Sequence, residues 1–487
     1  MNALWSPETA ILLAMVIPTL VAIGIELTGR QPNLRETVTL AGSVLLLIVV
    51  ASLTPLVIDG ARPAFTLAEF VPGVAIAFEV EPLGMLFSLV AAGLWPIASL
   101  YSIGYMRGNH EHAQTRFYIC FALAIAATMG IAFSANLLTL FIFYEVLTLS
   151  TYPLVTHNED DEARMGGRTY LGILLATSIG LLLPGILWVY ATTGTLDFQP
   201  GGILEGHIDG ALVGLMLFLF MFGIGKAALM PIHRWLPAAM VAPTPVSALL
   251  HAVAVVKAGV FTVIKVISYT FGTEFLASQA SADWLVYIAG FTVVAASVVA
   301  LRQDHLKRRL AYSTVSQLSY VIMAAALFTP IAIVGAAMHL AAHAVSKITL
   351  FFAAGSIHTA AHKDYISEMD GIGRRMPWTM GAFTIGAFSL IGIPPAIGVV
   401  SKWYILQGTF AVDQAFPAAV MLLSTLLNAA YFLPIIYVAF FRKPEGHSHG
   451  EAPIAIVIAI TLTALATVTL FFFPDPAIAL ARAVAGL

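Results

Sequence analysis

Cysteine is almost missing from this sequence, and charge is scarce. Cys120 is the only cysteine in 487 residues. It sits in an apolar stretch, which excludes a disulfide framework, an iron–sulfur centre and a cysteine-based zinc site. Only 10% of the residues are Asp, Glu, Lys or Arg, against roughly 25% in a soluble domain. That scarcity excludes an ordinary globular protein, a disordered chain and a nucleic-acid-binding protein. A basic leader is also lacking. The first apolar segment, about residues 8–27, is long enough to span a bilayer, so no cleaved signal is expected. What is present is apolar: 59% hydrophobic residues and a mean hydropathy of +0.91. This is the composition of a polytopic membrane protein. The net charge of −3 says nothing about partners, because in such a chain the place of each charge matters more than the sum.

Apolar windows of about 20 residues predict an all-α polytopic membrane protein of about 14 transmembrane helices. They centre near residues 17, 47, 92, 125, 145, 180, 220, 256, 292, 318, 345, 388, 425 and 463. Connections are short, the longest gaps lying around 59–80 and 193–209. If the spans alternate in direction, the loops after the odd-numbered spans share one side. They hold Arg30, Arg35, Arg107, Arg116, Arg164, Arg168, Arg234, Arg302, Lys307, Arg308, Arg309, Lys363, Arg374, Arg375, Arg442 and Lys443, which is 16 basic residues. The opposite side holds only Arg62 and Arg482. The positive-inside rule makes the 16 cytoplasmic and places both termini on the outer, periplasmic side.

Of the 23 basic residues, five remain inside spans: Lys226, Lys257, Lys265, Lys347 and Lys402. Glu145 is the only acid placed deep within a span. A charge at the bilayer centre costs on the order of 2.5–3.5 kcal/mol even on a lenient scale. Residues kept there at that cost point to an ion or proton pathway rather than to packing. Lys265, near the end of its span, is expected to snorkel to the interface.

Glu145 has no cation nearby in sequence, so its partner must come from another helix. Lys226 lies in Gly-Ile-Gly-Lys-Ala-Ala-Leu-Met-Pro (223–231) and Lys402 in Gly-Ile-Pro-Pro-Ala-Ile-Gly-Val-Val-Ser-Lys (392–402). Glycine and proline interrupt both spans, and irregular backbone at membrane depth is tolerated only around a cavity. A proline kink alone would explain each break, but not why each carries a lysine. His339, His343 and Lys347 recur at i, i+4 and i+8, and His358 returns to nearly the same face eleven residues beyond. Such a row can pass protons, since histidine titrates near neutrality. A satisfied core histidine explains any one of these taken singly. HxxxH is also a zinc spacing, but no cysteine and no further intramembrane acid completes a ligand set, so no metal is expected. Ser247, His251 and Lys257 form a further polar group in span 8. A Glu145–Lys226 pair would hold both charges, and its separation would push Lys226 to release its proton toward Lys257 and the row.

With these residues in hand, the chain resembles the antiporter-like membrane subunits shared by Mrp-type cation/proton antiporters, respiratory complex I and energy-converting hydrogenases. The motifs that carry the resemblance are Ala-Pro-Thr-Pro-Val-Ser-Ala-Leu-Leu-His-Ala-Val-Ala-Val-Val-Lys-Ala-Gly-Val (242–260), His-Leu-Lys-Arg-Arg-Leu-Ala-Tyr-Ser-Thr-Val-Ser-Gln-Leu-Ser-Tyr (305–320) and His-Ala-Val-Ser-Lys-Ile-Thr-Leu-Phe (343–351). The resemblance implies two inverted five-helix repeats, each with a broken helix. Carried over, the N-terminal helices 1–3 occupy 1–115 and the repeats 116–270 and 283–442. Helix 14 lies in 443–487, and the breaks fall about 211–235 and 377–411. It implies functional roles for Glu145, Lys226, Lys257, Lys347 with His339 and His343, and Lys402, with Ser247, His251 and His358 supporting the proton path. Within the family, the stretch 392–406 is most similar to the D-type subunit of Mrp antiporters. The complex I subunit of similar length usually has an acid where Lys402 stands, and the long one carries a lateral helix for which this chain is too short. Val399 departs from the pattern, which usually has phenylalanine there.

The resemblance therefore implies a proton-translocating subunit of a multi-subunit Na+ (monovalent cation)/proton antiporter in a bacterial or archaeal cell membrane, with other membrane subunits as partners. Two further readings follow from the same family: a proton-pumping arm of a redox complex, and a membrane subunit of an inorganic-carbon uptake complex. No cofactor is expected, because the sequence holds no dinucleotide loop, metal cluster or quinone motif, and the chain reads as a transporter subunit rather than an enzyme. His-Asn-Glu-Asp-Asp-Glu (157–162) reads as a solvated face, and Gly-His-Ser-His-Gly (446–450) as a flexible polar loop.

Overall fold

The computed structural model describes residues 5–71, 74–412, 414–444 and 450–487; most of the 446–450 loop lies outside the described residues. Helices dominate. α1 (Pro7–Leu27), α2 (Pro32–Ile58), α3 (Pro82–Gly108), α4 (Gln114–Ala132) and α5 (Leu137–Val155) follow one another, through short turns except between α2 and α3. α6 (Asp161–Thr193) is a single long span with a π segment in its middle, and α7 (Gly210–Gly223) is a half-length helix. α8 (Thr244–Phe271), α9 (Trp284–Leu301), α10 (Leu306–Ala325) and α11 (Pro330–Ala361) come next. α12 (Pro377–Ile391) and α13 (Gly398–Ala411) are two halves of one interrupted span, followed by α14 (Ala415–Phe441), α15 (Ile454–Phe472) and a short α16 (Asp475–Val484).

Eleven of these helices are long and apolar enough to cross a membrane by length and composition, and α7 and α12 are shorter apolar helices. With α10 they fill the 14 positions expected from the apolar windows. α10 falls short on hydropathy because it begins Leu-Lys-Arg-Arg and carries Ser313, Thr314, Ser316, Gln317 and Ser319, all of them buried. Their hydroxyls and amide turn toward neighbouring helices instead of lipid.

The helix ends follow from local chemistry. Proline stands at the first turn of α1, α2, α3, α11 and α12, where its missing N–H costs nothing. Side chains of Asn136 and Asp160 cap α5 and α6, accepting from Thr139 N and Ala163 N at 2.8 and 2.7 Å. Gly392, at φ +97°, ends α12 in a left-handed turn that few other residues adopt.

Two features were not foreseen. The gap at 59–80 contains an antiparallel hairpin, β1 (Ala64–Val71) paired with β2 (Val74–Glu79). α16 closes the described chain as an additional short helix packed against α3 and α11.

Two helices form the axis of the bundle. Every residue in the apolar window of α8 is buried, and 94% of those in α11. Helices facing lipid, such as α15, bury only a third of theirs. α8 and α11 therefore touch protein on all sides, and any polar group on them must be met by another helix.

Candidate functional site

The two interruptions place lysines on unwound backbone. After α7 stops at Gly223, residues 225–241 run as short turns before α8 begins. Lys226 is fully buried there. Its ammonium donates to the Tyr144 carbonyl of α5 at 2.8 Å and to Thr148 Oγ1 at 2.5 Å, and lies 3.2 Å from the Tyr144 ring centroid. The second break, between α12 and α13, frees the last carbonyls of α12. Lys402 takes two of them, Leu390 O at 2.7 Å and Ile391 O at 3.0 Å. It also borders a cavity of about 700 Å³ lined by Gly392, Tyr404, Gln407, Thr425 and Arg482.

Between the breaks runs the α11 row. Lys257 Nζ of α8 lies 2.5 Å from His343 Nδ1. His339 Nδ1 meets Ser401 Oγ at 2.9 Å, and its Nε2 meets Gln317 Oε1 at 2.9 Å, so one imidazole bridges α10 and α13. Lys347 Nζ donates to Ser313 Oγ at 2.9 Å and reaches Leu310 O at 3.3 Å. From Ser313 a hydrogen-bonded line continues. Tyr431 O–H contacts Ser313 Oγ at 3.1 Å and Asn428 Oδ1, and Asn428 Nδ2 donates to Leu390 O at 3.3 Å, the carbonyl already held by Lys402. Lys347 and Lys402 thus sit at the two ends of one chain of polar contacts.

Other expected residues stand apart. His251 is buried in a π segment of α8 with its ring 4.6 Å from Phe351, and neither of its nitrogens, nor Ser247 Oγ, has a hydrogen-bond partner. His358, at the far end of α11, is half-buried and pairs with Asp364 at 3.0 Å. That contact and the charges of Lys307 and His305 hold the Asp364 carboxyl below the usual carboxylate range.

Two expectations require correction. Glu145 and Lys226 are close enough for their charges to interact, but they form no ion pair within 4.0 Å among the described residues. Both Glu145 oxygens are buried without a hydrogen-bond partner, on a flank of α5 beside the exposed Val146 and Leu149. Lys226 instead turns to Tyr144 and Thr148 of the same helix, which supply oxygens. Lys265 does not snorkel. It is fully buried and bonds Glu81 Oε1 at 3.1 Å and Ser134 O at 2.8 Å.

Glu145 is accordingly not the only buried acid at a helix. Glu81 caps α3, accepting from Leu83 N and Gly84 N, and also receives the Tyr269 hydroxyl at 3.2 Å. Glu36 is buried in α2, where it binds Arg107 (2.5 Å) and Arg35 (3.4 Å); Arg35, counted above among loop residues, is itself buried in that helix.

Thr148, Ser313, Gln317, Ser401, Asn428 and Tyr431 were missed because counting charges passes over neutral polar groups. Ser313 and Gln317 do lie inside the motif 305–320, so polarity on an otherwise apolar span was the available signal.

A helical bundle with two interrupted spans and a buried line of amines and imidazoles across its middle defines an antiporter-like membrane subunit. The chain belongs to the family of NADH:quinone oxidoreductase and Mrp antiporter transmembrane proteins, whose model matches residues 134–428. It is 30% identical over 449 residues to NADH-quinone oxidoreductase subunit N of Desulforudis audaxviator, covering 91% of this chain and 89% of that one. Further relatives of 32–33% identity are longer, and the chain spans about half their length. A chain in the structure of the Mrp complex from Dietzia superposes with a TM-score of 0.89 at 21% identity, covering 99% of this chain and 97% of its own. One in the archaeal membrane-bound sulfane sulfur reductase gives 0.87 at 24%, covering 98% and 97%. At these identities the superpositions speak for the fold.

Proposed function

We propose that this chain is the proton-translocating subunit of a multi-subunit monovalent cation/proton antiporter, with Na+ as the cation. One observation carries this reading. Lys226, Lys257, Lys347 and Lys402 are all buried, and none has a carboxylate within 4.0 Å among the described residues. Each amine can take up or release a proton without stranding a counter-ion, which a structural ion pair cannot do. On this reading the path starts at Glu145 and Lys226, passes Lys257, His343, His339 and Lys347, and ends at Lys402; Lys257 and His343 are in direct contact, and Lys347 and Lys402 are joined through Ser313, Tyr431 and Asn428. His251 and Ser247 flank it with unused donors and acceptors, and His358 stands at its basic end.

The same reading assigns residues 116–270 and 283–442 as inverted repeats between flanking segments 1–115 and 443–487. It places the chain in a bacterial or archaeal cell membrane with both termini outside, beside other membrane subunits, and makes it a transporter rather than a redox catalyst. A second reading, a proton-pumping arm of a redox complex, is favoured by the near full-length match to an NADH-quinone oxidoreductase subunit.

The experiment is cation-dependent collapse of a pH gradient in inverted vesicles containing the whole complex. Sodium pulses are expected to restore the fluorescence of a pH-sensitive dye. No response to Na+, Li+ or K+ would remove the antiporter reading, and proton uptake driven by an electron donor would establish the second.

A further inference from the structure

Away from the buried row, two loops at the basic end of the bundle bring three ligand-type side chains together. Glu111 and His112 lie between α3 and α4, and His157 follows α5 directly. One donor atom from each lies within 4.8 Å of the other two. Glu111 Oε2 is 3.9 Å from His157 Nε2, and the His112 and His157 rings are 4.9 Å apart between centroids. The His157 side chain has no exposed surface. Neither of its ring nitrogens completes a hydrogen bond. A buried imidazole with both nitrogens unmet is costly. Arg116 does not relieve it, since that side chain bonds the His157 carbonyl, at 3.1 Å, and the Glu159 carboxylate.

We propose that Glu111, His112 and His157 form a divalent transition-metal site whose preferred occupant is Zn2+. Two imidazoles and one carboxylate are a borderline nitrogen and oxygen set that suits this ion, whereas Mg2+ and Ca2+ take all-oxygen shells. Zinc–ligand bonds of about 2.0–2.2 Å in a tetrahedron separate donors by roughly 3.3–3.6 Å. The cluster therefore needs to close by only about 1 Å, and His112, which is exposed, is free to turn. Three protein ligands leave the fourth position to water. The ion would tie the loop leaving α3 to the end of α5, the helix that carries Glu145. The ligands come from two distant loops, so no zinc spacing is visible in the sequence.

The test uses the assembled complex purified in detergent, in a His447→Ala/His449→Ala background so that the 446–450 loop contributes no ligand. After equilibration with Zn2+ and gel filtration, metal analysis is expected to find one more Zn2+ per chain than in the His112→Ala variant. Glu111→Gln is expected to lose the same ion. Both changes are at side chains not fully buried, and unchanged elution checks assembly. Co2+ in place of Zn2+ is expected to give the visible absorption of a four-coordinate ion, absent from the variants. Equal Zn2+ in parent and variants, or none in the parent, would overturn the proposal.

Discussion

Lys257 Nζ of α8 lies 2.5 Å from His343 Nδ1 of α11, the one direct contact between titratable side chains of the two most enclosed helices among the described residues. A lone pair on one nitrogen must face a proton on the other, so the pair shares a single bridging proton. If that contact carries transport, Lys257→Ala and His343→Ala should each lower proton flux in vesicles by on the order of tenfold or more. The double variant should be no worse than the worse single one. Independent, multiplying losses would show that the two do not act as a unit.

Tyr431 is the link between Ser313 and Asn428. Tyr431→Phe keeps the ring and deletes the hydroxyl, so it should slow flux severalfold while leaving the thermal midpoint nearly unchanged. In a Lys402→Ala background the same change should have no added effect. A further drop there would place Tyr431 on a separate route.

Gly259 faces the break at Lys226. A Cβ at that position would sit 2.4 Å from Ala227 N and Lys226 C, both backbone atoms. Gly259→Ala should therefore cost about 1–3 kcal/mol, seen as a lower unfolding temperature, and should reduce transport by displacing the lysine. Gly172→Ala, where nothing lies within 4 Å, is the control expected to do neither.

The Lys265–Glu81 pair joins α8 to the start of α3. Removing one buried partner leaves an uncompensated charge, so Lys265→Met should destabilise by about 3–5 kcal/mol. Glu81→Gln together with Lys265→Met should recover part of that loss. A single variant that melts like the parent would show the pair to be structurally idle.

Asp364 gives a pH signature. His358 beside it holds its carboxyl below the usual range, so the folded form keeps its proton off more strongly than the unfolded form does. That stabilisation is present above about pH 3.9 and is lost as pH falls through the lower, folded value. Melting temperatures recorded from pH 5 to 3 should fall less steeply in Asp364→Asn than in the parent. Parallel curves would deny Asp364 this role.

The spans were legible because lipid leaves no choice: a crossing helix needs a long apolar run, and basic residues gather on one side. The lysine row was legible for the same reason, since charge at that depth is conspicuous. Lys265 departs from the snorkelling expectation because nearness to a span end says nothing about a partner elsewhere in the chain. Glu81 lies 184 residues away in sequence and beside a gap that gave no hint of a hairpin. Charge alone pairs Glu145 with Lys226, yet the Lys226 ammonium settles on the Tyr144 carbonyl and Thr148 hydroxyl of the same helix. Pairing across helices depends on rotation about each axis, which composition does not encode.

Lys402 rests on peptide oxygens, not on an acid. Carbonyl dipoles are fixed in number and cannot be titrated, so the second interruption holds its ammonium in a solvation shell made of its own main chain. The two ends of the proposed path are therefore unlike. Near Lys226 the nearby titratable group is a carboxylate, whereas near Lys402 it is an imidazole, His339, held through Ser401. The pattern of two similar breaks thus conceals unlike electrical surroundings: an acid near one lysine, main-chain oxygens and an imidazole near the other.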